Sequence, residues 1–447
     1  MHGCFVVLKP NPIFIVIYDI AEIILIKQII YKKGAMSMKK RILALILLTT
    51  ILTGVTGCNN KTAKSLSEGV EPGKVEGAEG VGNVIATNHF SLEVFKRARN
   101  KEGNTIISPF SVLCALAMTA NGAEGDTLAQ MEDVLGMSVD ELNQMFYLFK
   151  DSLPNEKSLK MTLSNSIWFT EHVRFTPNEE FLQTNADYYG AEIYEAPFDQ
   201  STVKDINEWI DRNTDGMIKH MIDEISDSAV MYLINALTFD AEWSVIYENT
   251  QIRDGRFTME DGKTKNIDYM HSEENYYLES EHGIGVMKPY KGGEYAFVAL
   301  LPKEGMSVEE YLNTLDGEEL SQILANMQNV TVETKIPKFE MTYEVSLTDI
   351  LQEMGMKDAV DVSKADFTSL GTSTVGNIYM DEVLHKAYIN VDEKGTKAGA
   401  VTIVAVTDGC MLEMEEPKKV YLDRPFIYMI VDMGHQIPMF IGTYMEP

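Results

Sequence analysis

From residue 83 to its C-terminal end the chain carries no linker and no internal repeat. That continuity constrains the fold more than any single motif, because it demands one large cooperative unit. The chain has 447 residues, 45% hydrophobic and 23% charged, a globular composition able to bury a sizeable core without staples. Helical periodicity comes first along the chain. At 84–99, Val84, Ile85, Phe90, Leu92, Val94 and Phe95 fall among polar residues. The pattern recurs at 110–120, at 126–135 with Asp126 as its expected cap, at 205–214 and at 307–327. Strand-like runs follow at 161–169, 231–239, 295–301, 330–339 and 378–391. Two apolar runs around Gly434-His435-Gln436 then read as a closing hairpin. Helices mostly early and strands mostly late make the class α+β, not an alternating α/β fold.

The first 82 residues read differently. Lys39, Lys40 and Arg41 precede the apolar run 42–52 and the small residues Thr53-Gly54-Val55-Thr56-Gly57-Cys58, the layout of a secretory signal. The run is too short for a permanent membrane span. The ending Val55-Thr56-Gly57-Cys58 resembles a bacterial lipobox, in which Cys58 would be lipidated; the alternative is an ordinary cleaved signal with Cys58 incidental. Met36 and Met38 stand just ahead of this signal, so residues 1–35 are expected to lie upstream of the working protein. Residues 13–30 are apolar, but Asp19, Glu22 and Lys27 disfavour a transmembrane helix there. Residues 59–82 contain no aromatic residue and read as a flexible tether with a reach of about 25–30 Å. The expected organisation is therefore 36–58 signal, 59–82 tether and 83–447 one folded domain, secreted and held at the cell surface through Cys58.

Charge and motif content exclude several functions. The net charge is −29; the first 58 residues are net +5, which leaves −34 for the remainder. Such a body repels nucleic acid and anionic lipid, so no nucleic-acid partner is expected, and a membrane only through the anchor. Cys4, Cys58, Cys114 and Cys410 form no CxxC pair, and the eight His are scattered, so neither a metal site nor a disulfide framework is expected. No GxSxG, GxxxxGK[ST] or HExxH motif occurs. A thiol enzyme built on Cys410 lacks a nominated His partner. The chain is read as a monomer without cofactors and not as an enzyme.

Several segments, taken in order, resemble the serpin family. These are Asn104-Thr105-Ile106-Ile107-Ser108-Pro109-Phe110-Ser111-Val112, Asn121-Gly122-Ala123-Glu124-Gly125-Asp126-Thr127 and Asn165-Ser166-Ile167-Trp168. Further along come Ile234-Asn235-Ala236-Leu237-Thr238-Phe239 with Trp243 beyond, Ile336-Pro337-Lys338-Phe339, Lys364-Ala365-Asp366-Phe367 and, most diagnostic, the run from His385 through Asn390-Val391-Asp392-Glu393-Lys394-Gly395-Thr396. Asp423-Arg424-Pro425-Phe426 and Pro438-Met439-Phe440-Ile441-Gly442 close the set. The resemblance implies three β-sheets with eight or nine helices, an exposed reactive-centre loop, and suicide inhibition of serine proteases by loop insertion. It also implies a polar cluster of Ser108, Asn235 and His385 beneath the point where the large sheet opens, with Trp243 and Glu393 at the top of that sheet. The alternative within the family is a non-inhibitory binding or chaperone-like member.

The loop is read as running from residue 393 to about 414. Insertion as a central strand buries every second side chain. In step with Thr396 stand Ala398, Ala400, Thr402, Val404 and Val406, all small or apolar, while Lys397 falls on the other set. No Pro interrupts 396–416. The hinge is therefore placed at Glu393, Gly395, Thr396, Ala398, Ala400 and Thr402. The alternative is an ordinary buried strand, which Gly395 and the segment after 409 argue against. Counting family spacing forward from Glu393 puts the scissile bond after Gly409; counting back from Asp423 puts it near Met414. The forward count is weighted, with Gly409, Cys410, Met411 and Leu412 as candidates. Because 398–416 holds no Lys or Arg, trypsin-like targets are disfavoured; elastase-like, chymotrypsin-like or subtilisin-like proteases are expected, with an Asp-cleaving cysteine protease a weaker option through Asp408.

Overall fold

A computed structural model describes residues 63–66, 72–73, 75, 82–171, 174–226, 229–374, 376–396 and 416–447. The chain opens with β1 (Lys64–Ser65), α1 (Val84–Ala98), β2 (Thr105–Ile107), α2 (Pro109–Ala120), α3 (Gly125–Leu135) and α4 (Val139–Ser152). The middle holds β3 (Asn155–Glu156), β4 (Leu159–Thr170), β5 (Phe175–Pro177), α5 (Glu179–Tyr189), β6 (Glu192–Ala196), α6 (Gln200–Asn213) and β7 (Met231–Glu242). Then come β8 (Ile252–Thr258), β9 (Thr264–Glu279), β10 (Gly283–Pro289), β11 (Tyr295–Pro302), α7 (Val308–Leu312) and α8 (Gly317–Ala325). The last third holds β12 (Gln328–Pro337), β13 (Phe339–Ser346), α9 (Thr348–Met354), β14 (Gly371–Ser373), β15 (Leu384–Val391), β16 (Gly395–Thr396), β17 (Lys418–Tyr421), β18 (Phe426–Asp432) and β19 (Ile437–Tyr444).

These strands form three sheets. An eight-stranded sheet runs β1-β6-β4-β7-β16-β15-β13, with β3 on β4; a nine-stranded sheet runs β17-β12-β9-β10-β11-β18-β19-β2, with β8 on β9; β14 and β5 pair alone. With nine α-helices among the described residues, this is the α+β architecture expected.

Helix α2 lies at the centre. Every residue of it except Ala115 is buried, as a helix apolar on all sides must be. Its start is encoded locally: the Ser108 side chain accepts from the Ser111 N–H, and Pro109 occupies the first turn. The hairpin β18–β19 is buried along its whole length and pairs with β11 and β2. Its turn is held by Asp432 Oδ1, which accepts from the Gly434 and His435 amides. A second apolar cluster, with Trp168, Trp209, Ile206 and Ile234, joins α6 to one face of β4, β6 and β7. Strand alternation then turns Asn235, between Ile234 and Ala236, toward α2 on the other face.

Several expectations are corrected. Helix 126–135 begins one residue earlier, at Gly125, and Glu124, not Asp126, is its N-cap residue. The 307–327 helix is two, because Asp316 caps a new start by accepting from the Glu318 and Glu319 amides. The 378–391 strand begins only at Leu384; ahead of it the Met380 amide donates to Ala359 O and the Val383 amide to Thr348 Oγ1. Within the segment read as a tether, Lys64–Ser65 is a strand on the β6 edge, and the Ala63 amide donates to Asp205 Oδ2 at 2.9 Å.

Candidate functional site

The hinge residues sit where β7 and β15 part. Among the described residues these two strands share no ladder pair; only β16 stands between them, with Thr396 opposite both Val391 and Ala241 and Gly395 opposite Glu242. Glycine is required at 395, since a Cβ there would lie 1.9 Å from Ala241 O. Thr396 is 3% exposed and shares a 2.6 Å hydrogen bond with the Tyr290 hydroxyl.

The turn before β16 is clamped from the end of β7. The Trp243 amide donates to Lys394 O and the Tyr247 amide to Glu393 O, both at 2.8 Å. The Trp243 indole N–H donates to Asp392 O at 2.8 Å, and the ring stacks on Tyr290 at 4.5 Å and 9°. Asp392 Oδ1 accepts from the Lys394 and Gly395 amides. The Glu393 carboxylate pairs with Lys338 at 2.7 Å, and that ammonium, above other causes, holds it below the ordinary carboxylate range.

The polar cluster lies at the opposite end of the same strands. The Ser108 amide donates to His385 Nε2 at 3.0 Å, and the Ser108 hydroxyl donates to Met439 O at 2.8 Å. Burial pushes His385 down to about 4, so the imidazole is neutral and its Nε2 is free to accept. Asn235 is joined indirectly: Ser111 Oγ donates to Asn235 Oδ1, and Asn235 Nδ2 donates to Asn165 Oδ1 across the β4–β7 ladder. Asn165 in turn donates to Tyr189 O at 2.8 Å. A cavity of about 150 Å³ opens here among Ser111, Tyr232, Asn235, Met380, Leu384 and His385.

The structure therefore brings Ser108, His385 and Asn235 into one network and places Trp243 with Glu393, Gly395 and Thr396 in another. Trp243 follows Asn235 by eight residues along an extended strand, about 26 Å. Ala398, Ala400, Thr402, the bond candidates Gly409, Cys410, Met411 and Leu412, and Cys58 lie outside the described residues. Sequence reasoning missed Ser111, Asn165, Tyr247 and Tyr290. For Asn165 a signal existed: Ser164-Asn165-Ser166 interrupts an otherwise apolar strand, and buried polar runs of that kind need partners.

A two-residue strand wedged between β7 and β15 is the feature to compare with known proteins. The family described as Serpin (serine protease inhibitor) matches residues 85–447. The chain is a serpin. A thermophilic serpin, tengpin, in its native state superposes on it with a TM-score of 0.81 and 44% identity, over 86% of this chain and 100% of that one. An uncharacterized serpin-like protein of Thermococcus kodakarensis is 31% identical over 81% of this serpin and 85% of its own length. Leukocyte elastase inhibitor A of Rattus norvegicus is 28% identical over 81% of this serpin and 98% of its own length.

Proposed function

We propose that this serpin inhibits extracellular serine proteases by suicide trapping, with the cut loop entering the eight-stranded sheet between β7 and β15. The observation that carries this reading is β16 itself. Thr396 already pairs with both neighbouring strands and Gly395 with β7, so further insertion extends an existing ladder and needs no new nucleus. The target's serine oxygen bonds to the scissile carbonyl carbon as its hydroxyl proton passes to the departing nitrogen, the C–N bond breaks, and the new amine leaves on the segment ending at Pro447. Insertion then carries the acyl-enzyme away before water can reach the ester. The absence of Lys and Arg from 398–416 favours elastase-like, chymotrypsin-like or subtilisin-like targets, and cleavage after one of Gly409, Cys410, Met411 or Leu412.

Incubation with neutrophil elastase, chymotrypsin, subtilisin and trypsin tests the reading on a denaturing gel. At least one of the first three should yield a complex that survives SDS, and trypsin none. Two cleaved fragments and no complex with all four would point to a non-inhibitory member. Mass spectrometry of the released C-terminal peptide locates the bond, and a cut after Lys418 would overturn the target assignment.

Residues 36–58 support secretion and lipid attachment at Cys58, with the serpin acting as a monomer at the cell surface. Membrane fractionation of a Cys58→Ser variant checks the anchor: release into the medium is expected, and unchanged membrane retention would count against it.

A further inference from the structure

Beneath the hinge clamp lies a buried ion pair that the trapping scheme does not use. Lys288 on β10 and Glu274 on β9 meet at 2.6 Å, with side chains 1% and 9% exposed. Burial holds the Lys288 ammonium below its ordinary range, against the opposing pull of Glu274. Removing two charges from water is expensive, and as a source of stability such a pair is often no better than apolar side chains. Its surroundings suggest a different use. The ammonium lies 4.4 Å from the Tyr247 ring centroid and 5.5 Å from that of Trp243, within cation–π range of both. Ser272 Oγ donates to Glu274 Oε1 at 2.6 Å and lies 3.2 Å from the Tyr247 hydroxyl. A cavity of about 160 Å³ adjoins the pair between Tyr247, Ser272, Glu274 and Lys288, so packing alone does not immobilise the Tyr247 ring, whereas Trp243 is also held by its stack on Tyr290. Trp243 and Tyr247 are the two residues whose amides carry the hinge carbonyls of Lys394 and Glu393.

We propose that Lys288 is a positioning residue for the reactive-loop hinge: its ammonium, fixed by the Glu274 carboxylate, holds Trp243 and Tyr247 where their backbone amides can clamp residues 392–394. The effect passes to residues 392–394 through the two aromatic residues. Losing the pair frees the Tyr247 ring toward the adjoining cavity and removes the cation facing Trp243, loosens the clamp, and delays entry of the strand after cleavage. More acyl-enzyme is then lost to water before it is trapped. The consequence for trapping rests on the inhibitory reading above, whereas the consequence for clamp geometry does not.

The test is the double variant Lys288→Met/Glu274→Gln, which removes both charges and leaves neither buried alone. Hydrogen exchange read on the peptide 241–249 should accelerate at least tenfold, with exchange at 296–301 in β11 unchanged. The stoichiometry of inhibition should rise at least twofold while the association rate constant stays within twofold of wild type. Ser272→Ala, a smaller change, keeps the test available should the double variant not fold; it should accelerate exchange at 241–249 by at least threefold. Unchanged exchange at 241–249, or an equal rise at 296–301, overturns the positioning role and leaves the pair merely structural. An unchanged stoichiometry despite faster exchange overturns its link to trapping. If the wild-type chain traps no protease, the inhibitory reading falls by itself, and the exchange measurement still decides the role of Lys288 in the clamp.

Discussion

His385 accepts from the Ser108 amide only while its Nε2 is unprotonated, and burial keeps it so by lowering its affinity for protons from the ordinary 6.5 to about 4. In the unfolded chain the same imidazole titrates near 6.5. Between those values the unfolded state binds more protons than the folded one, so acid draws the equilibrium toward unfolding. The contribution is complete above about pH 6.5 and is lost as pH falls toward 4, amounting to about 3 kcal/mol over that window. Urea unfolding at pH 7 and pH 4.5 should show a smaller loss of stability in His385→Gln than in wild type, since Gln can accept the Ser108 bond without titrating. Equal losses in the two proteins would show that other groups carry the acid sensitivity. Single residues of this kind were only partly legible. Ser108 and His385 could be nominated by resemblance, but their bond spans 277 positions, and Ser111, which ties Asn235 to the same helix, carries no local signature that sets it apart from any helical serine.

At the scale of elements, legibility followed periodicity. Helices α1, α2 and α3 and the hairpin β18–β19 were readable because an apolar stripe or an alternating run fixes both type and extent. Helices α4, α5 and α9 went unread. Helix α4 carries a full capping box at Ser138 and Glu141, a signal present in the sequence and passed over. Helix α9 has only seven residues and no side-chain cap. Strand β1, within the segment read as a tether, went unread because it is two exposed residues that pair only when β6 presents an open edge, which is tertiary information. The hinge shows the converse. Alternation placed Thr396 on the inward set, and in the structure it is buried with its hydroxyl on Tyr290. Thr396→Arg would force a guanidinium beneath the sheet, a cost of several kcal/mol. The native fold can avoid that cost by withdrawing β16, but the inserted form cannot. The variant should be cleaved at a rate close to wild type and form little SDS-stable complex; undiminished complex formation would sink the insertion reading.

At the scale of the whole molecule the deciding feature is the parting of two strands inside one sheet. Strands β7 and β15 lie inside an eight-stranded sheet, each paired along its outer edge with β4 or β13, yet their facing edges are bridged among the described residues only at Gly395 and Thr396. Backbone groups along a parted sheet edge gain free energy when an added strand pairs with them. The apolar set in step with Thr396 has the composition to claim it. Before cleavage the loop is held at both ends, at the β15 turn and at β17, where Lys418 to Tyr421 pair in parallel with β12. Cutting the loop frees the hinge side from that second attachment. The cleaved protein should therefore be more stable than the intact one, and its folded core should not loosen. Nicking with a catalytic amount of subtilisin, followed by guanidinium unfolding, measures this directly. We expect the midpoint to move upward by at least 1 M, with both fragments remaining associated until unfolding. A midpoint that stays put or falls would mean that the cut loop does not enter the sheet, and that the pairing of β16 is a fixed structural stitch instead of the first step of insertion.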